Sequence, residues 1–123
     1  KLAYFFNSFP LSKEGNVRGT MEQIGRLLDD GWSVLIFPEG KLTVGGPIQP
    51  FMGGTGLIAV EARTPVIPMR IVVERPSILE GLRWPPRGKL RIVFGDPLTF
   101  APETSYAAAT ERIEAAVRGL ASE

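Results

Sequence analysis

The stretch Ser33-Val34-Leu35-Ile36-Phe37-Pro38-Glu39-Gly40 decides how the rest of the chain is read. Residues 34–37 form a short continuous apolar run, the pattern of a strand buried on both faces. Pro38 cannot donate to a sheet ladder, so the strand is expected to stop there. Glu39 then stands just past the strand's carboxyl end, where open α/β sheets place their ligands. An acid at such a place is a candidate site residue; alone, it is also an ordinary turn glutamate.

Working upstream, Val17, Met21, Ile24 and Leu28 recur at helical spacing, with Asn16 as N-cap and Gly31 suited to a left-handed cap. Downstream, residues 41–56 are a glycine-rich loop interrupted by Pro47 and Pro50, followed by a short, mostly buried helix over 56–63. Residues 66–73 read as a strand, with Pro65 and Pro68 marking an edge or a bulge near its start. Residues 74–88 are an irregular connection, 90–94 another strand, and Gly95-Asp96-Pro97 a turn. A last helix begins near residue 104, with Tyr106, Ile113, Val117 and Leu120 on one face. Helices alternating with strands imply an α/β fold. At 123 residues the chain is long enough for one domain and too short for two, so residues 1–123 are taken as a single domain. It opens on Lys1 in an already hydrophobic stretch, which reads as a domain entered partway through.

Composition removes several chemistries. Fourteen Lys and Arg face thirteen Asp and Glu, a net charge of +1 that argues against a dedicated nucleic-acid binder. There is no cysteine, hence no thiolate nucleophile, disulfide or cysteine zinc site. There is no histidine, which removes imidazole bases and Ser-His-Asp chemistry from these residues. No metal and no bound cofactor is expected. No apolar run approaches the length of a membrane span, so any membrane contact is expected to be peripheral. Gly54-Thr55-Gly56-Leu57-Ile58-Ala59 matches a dinucleotide-binding fingerprint, but that pattern needs a strand leading into its first glycine, and Pro47 and Pro50 make one unfavourable here.

The larger constellation is Phe9-Pro10-Leu11-Ser12-Lys13, a helix, Phe37-Pro38-Glu39-Gly40, the glycines at 53–56, and Pro65-Val66-Ile67-Pro68, in that order. It resembles the glycerolipid acyltransferase family, over roughly residues 4–100. Phe9 to Lys13 is similar to the family's second motif, the FPEG block to its third, and Val66-Ile67-Pro68 to its fourth. The resemblance implies a mixed, largely parallel sheet flanked by helices, of the glycerol-3-phosphate acyltransferase kind, present here as part of a domain. It implies transfer of a fatty acyl group from acyl-CoA or acyl carrier protein to a lysophosphatidate-like lysophospholipid, at the cytoplasmic face of a membrane, in phospholipid biosynthesis. Some bacterial members are fused to adenylate-forming, fatty-acid-activating domains, so such a domain is an expected partner.

Two departures shape the expected site. The family's first motif, Asn-His, four residues, then Asp, supplies the general base; with no histidine present, no catalytic residue is assigned in this chain. Relatives commonly carry Thr-Arg after the Glu-Gly pair, where Lys41-Leu42 stands here, and a lysine lacks the bidentate fork of arginine. The expected substrate-binding residues are Glu39 for acceptor hydroxyls, Lys13, Arg18 and Lys41 for phosphate, Gly40 for close backbone approach, and Pro68 at the acyl-donor surface. Arg83, Arg87, Lys89 and Arg91 around Trp84 form either a patch for anionic lipid or a solvated loop. A non-catalytic lipid- or acyl-carrier-binding module fits the same residues.

Overall fold

The computed structural model describes residues 17–40, 47–73 and 90–120. The chain divides into two compact units, Lys1–Ile36 and Phe37–Glu123.

In the first unit, helix α1 spans Val17–Asp29. Of the apolar positions that predict it, Ile24 is fully enclosed, Met21 and Leu28 are half-buried, and Val17 is exposed. Arg18 pairs with Glu22 one turn on, Nε to Oε1 at 3.2 Å, an exposed contact worth a few tenths of a kcal/mol at most. Arg26 in the last turn complements the negative end of the helix. The helix ends as the sequence predicts. Gly31 adopts φ +88°, its N–H donates to the Leu28 carbonyl at 3.0 Å, and the Trp32 N–H donates to the Leu27 carbonyl at 2.9 Å. This is a Schellman closure, and it needs a left-handed residue at Gly31. A Cβ at Gly31 would meet nothing within 4 Å, so Gly31→Ala isolates the backbone cost. That cost is about 1–2 kcal/mol. The melting temperature is expected to fall by about 5–10 °C, read by circular dichroism. An unchanged melt would mean the closure adds nothing to stability.

The run at 33–37 departs from expectation. It is not a strand: among the described residues its backbone joins no ladder, and Leu35 and Phe37 are 63% and 65% exposed. Its side chains still alternate, with Val34 and Ile36 half-buried between exposed neighbours. The apolar pattern encodes strand propensity, whereas a ladder needs a partner edge supplied by other residues.

The second unit contains helix α2 (Gly54–Glu61), strands β1 (Met69–Val73) and β2 (Leu90–Phe94), and helix α3 (Tyr106–Arg118). The short helix expected over 56–63 starts and stops two residues earlier. Arg63 sits at φ +50°, outside helical space, and Ala62 closes the helix by donating to the Ile58 carbonyl. The prolines at 47 and 50 leave residues 47–52 irregular, so no strand leads into Gly54 and the dinucleotide fingerprint lacks its context.

Strands β1 and β2 pair antiparallel, Met69 opposite Phe94 and Ile71 opposite Ile92. The largely parallel sheet is therefore corrected: the sheet among the described residues is two-stranded and antiparallel. A parallel pair requires a crossover, usually a helix, and the sequence between these strands carries no helical pattern. The strand expected over 66–73 is broken at Pro68. Val66 makes an isolated bridge to Leu98, with both N–H···O distances 2.8 Å, and the ladder resumes at Met69.

The core of this unit lies where α2 meets α3, with Ala59, Val60, Ala109 and Ile113 all buried. Ser105 caps α3, its Oγ accepting the Ala108 N–H at 3.1 Å. Arg70 on β1 caps the other end, donating to the Leu120 carbonyl at 2.9 Å. Gly56 lets the two helices touch: a Cβ there would collide with the Tyr106 carbonyl oxygen. Its N–H, an otherwise unpaired donor in the first turn of α2, is satisfied by Thr110 Oγ1 at 2.9 Å. Tyr106 itself is exposed, and its hydroxyl donates to Glu61 Oε1 at 2.6 Å. That bond raises the phenol pKa above its ordinary 10.0, so the contact contributes below that pH and fades as the phenol ionises.

Candidate functional site

The FPEG block folds as a turn. Pro38, with φ preset by its ring, occupies the second position, and the Gly40 N–H closes the turn onto the Phe37 carbonyl at 3.2 Å. Gly40 lies at φ +67°, and a Cβ there would collide with the Met52 sulfur. The positive φ is what favours glycine here, since the exposed Met52 side chain can swing aside.

Glu39 is half-buried, and its Oε2 accepts the Gln49 N–H at 2.8 Å. One turn residue earlier, the Pro38 carbonyl accepts the Met52 N–H at 2.9 Å. The carboxylate is thus tied down by one backbone donor, and among the described residues that is the only bond it makes. A carboxylate with one oxygen anchored can accept a hydrogen bond from a ligand hydroxyl through the other. Sequence reasoning chose Glu39 and Gly40 and missed Gln49 and Met52. Their contribution is through backbone N–H groups, which every residue but proline possesses, so side-chain identity carried no signal.

The remaining expected residues fall elsewhere. Lys13 and Lys41 lie outside the described residues, as do Asn16, the connection 74–88 and the basic residues Arg83, Arg87 and Lys89 with Trp84. Arg18 is on the exposed face of α1, engaged with Glu22. Pro68 is buried, with its ring beside Gly95 and its carbonyl accepting the Gly95 N–H at 2.9 Å. No hydrogen bond among the described residues joins it to the Glu39 turn.

A recess of about 330 Å³ lies past the C-terminal end of α2, lined by Ala59, Arg63, Thr64, Pro65, Thr99, Phe100 and Pro102. It shares no residue with the Glu39 turn, so a pocket-first reading and a turn-first reading point to different places. The turn has the stronger claim, because its carboxylate is anchored by a backbone hydrogen bond, while the recess is chiefly apolar and the Arg63 side chain makes no bond among the described residues. No group of His, Cys, Asp or Glu among the described residues could hold a metal ion. None of the described helices is long and apolar enough to cross a membrane.

A family model described as acyltransferase matches residues 1–72. The match takes in the FPEG turn, α2 and most of β1, and ends before β2 and α3. No solved structure matches the chain.

Proposed function

Since the chain belongs to the acyltransferase family, we propose that it serves the acceptor side of fatty acyl transfer to a lysophosphatidate-like lipid. In that reaction an acceptor hydroxyl attacks the carbonyl carbon of an acyl thioester. The new C–O ester bond forms as the C–S bond breaks, and the thiol of CoA or acyl carrier protein departs. Glu39 accepts a hydrogen bond from the acceptor and fixes the aim of the attacking oxygen. The hydroxyl proton goes to the family's histidine, supplied by a segment other than these 123 residues, which contain none. A carboxylate repels phosphate, so Lys13, Arg18 and Lys41 are assigned to the acceptor's phosphate. Arg83, Arg87, Lys89 and Arg91 are assigned to the anionic membrane surface on which such acceptors are presented.

The observation carrying this reading is the anchored Glu39 carboxylate in the glycine-closed turn. It also specifies the test. Glu39→Gln keeps an oxygen for the Gln49 N–H but loses the charge, whereas Glu39→Ala loses both. Hydrogen bonds to charged groups are worth about 1.5–3 kcal/mol, so Glu39→Gln is expected to weaken binding of a short-chain lysophosphatidate by about tenfold or more. Its melting temperature should stay near wild type, while Glu39→Ala lowers both. Calorimetric titration and thermal melts measure the two. Wild-type affinity in Glu39→Gln would remove Glu39 from the acceptor site.

The absence of histidine favours a second reading, a module that binds lipid or acyl carrier without catalysis. Both readings use Glu39; only the first is completed by an added base.

A further inference from the structure

The short strip of residues 48–52 is held from two sides. On one side it meets the FPEG turn, through Gln49 N–H to Glu39 Oε2 and Met52 N–H to the Pro38 carbonyl. On the other it meets two side chains of α3. The Phe51 N–H donates to Glu114 Oε1 at 2.7 Å, and Arg118 Nη2 donates to the Ile48 carbonyl at 2.9 Å. Glu114 and Arg118 are themselves paired one helical turn apart, Oε2 to Nε at 3.4 Å. Their side chains are 29% and 42% exposed, so these bonds are only partly screened by water.

We propose that Glu114 and Arg118 are positioning residues of the acyltransferase site, fixing the Gln49 N–H that aims the Glu39 carboxylate. The proposal rests on the acceptor reading of Glu39. Three features carry it. The two α3 side chains grip residues 48 and 51, on either side of the residue whose N–H reaches Glu39. A pair that only stapled the helix to the strip would need one such contact, whereas two contacts fix the strip's rotation as well as its distance. Both ends of the grip are charge-assisted, the stronger class of hydrogen bond. Glu114 and Arg118 also lie beyond residues 1–72, so the matched part of the chain depends for its geometry on an element outside the match.

Amide hydrogen exchange on the 123-residue chain, combined with lysophosphatidate titration, tests this. Glu114→Ala should speed exchange at the Gln49 amide by about tenfold or more and weaken lysophosphatidate binding several-fold. Glu114→Gln retains an acceptor for the Phe51 N–H and should recover most of both. Tyr106→Phe breaks a different α3 bond, the one to Glu61, and should change neither. The Val66 and Leu98 amides, bonded to each other's carbonyls, report whether the rest of the unit remains folded. If they lose protection in Glu114→Ala, Arg118→Ala takes its place with the same expectations. Unchanged Gln49 protection in a folded variant overturns the proposal. Faster exchange with unchanged affinity also overturns it when Glu39→Gln does weaken binding. When Glu39→Gln is itself silent, the acceptor reading falls and the proposal falls with it.

Discussion

The 123-residue chain alone should release thiol from acyl-CoA about 10²- to 10⁴-fold more slowly than the same chain joined to a segment carrying Asn-His-x-x-x-x-Asp, the range that general-base catalysis typically contributes. The reason is chemical. An alcohol is a poor nucleophile toward a thioester until its proton is being removed, and imidazole is suited to that task near neutral pH. The sequence offers Asp, Glu and Lys but no histidine, and the Glu39 carboxylate is already engaged as an acceptor of the Gln49 N–H. Holding the acceptor leaves proximity effects intact, so some acceleration over solution should survive in the isolated chain. A thiol-detection assay with acyl-CoA and lysophosphatidate, with and without the added segment, measures the ratio. Equal and rapid release by both would show that the base lies within these residues. No release by either, with lysophosphatidate still bound, would favour the binding module.

Gly56→Ala should destabilise the second unit by about 1–3 kcal/mol, despite placing a better helix former inside α2. Replacing glycine by alanine in a helix interior gains about 1 kcal/mol from propensity alone. Against that, the new methyl group would overlap the Tyr106 carbonyl and crowd Thr110 Oγ1, both on α3. The carbonyl belongs to the backbone and cannot rotate away, so the helices must separate. Separation loosens Ala59, Val60, Ala109 and Ile113 and stretches the bond from the Gly56 N–H to Thr110. Overpacking of this kind costs about 1–3 kcal/mol, and the weakened hydrogen bond about 1 kcal/mol more. Collision therefore wins over propensity. Gly54→Ala is the matched control, because a Cβ there would meet nothing within 4 Å and should leave stability level or slightly raised. Denaturant melts of the two variants should move in opposite directions or differ by the stated margin. Coincident melts would refute the close-packing role of Gly56.

What was legible in the sequence was largely local. The spacing of Val17, Met21, Ile24 and Leu28 located α1, and Gly31 marked its end because few other residues tolerate that backbone. The β-branched pattern located β1 and β2, and the lack of a helical pattern between them was a clue to antiparallel pairing that the resemblance to a parallel family overrode. Residues 33–37 carry the same kind of pattern, yet pairing is decided by which edge is available, and a single stretch does not encode its partner. At the candidate site, the sequence singles out Glu39 by its side chain, whereas the backbone donors of Gln49 and Met52 that hold the turn leave no mark in it. Pro47 and Pro50 argue against the cofactor pattern around Gly56, but its contact with α3 was not legible, because the residues it meets are distant in sequence.

The bond between Glu39 and Gln49 joins the ends of a ten-residue interval. The entropy lost in closing a chain grows only with the logarithm of its length, about 0.6 kcal/mol for each doubling. A bond to a charged carboxylate exceeds that increment. The interval can therefore gain residues without opening the turn at its base, provided Gly40 and the strip at 48–52 are kept. By this reckoning a few residues inserted between Gly40 and Pro47 should leave the Gln49 N–H bonded to Glu39, so added length in this interval costs little free energy.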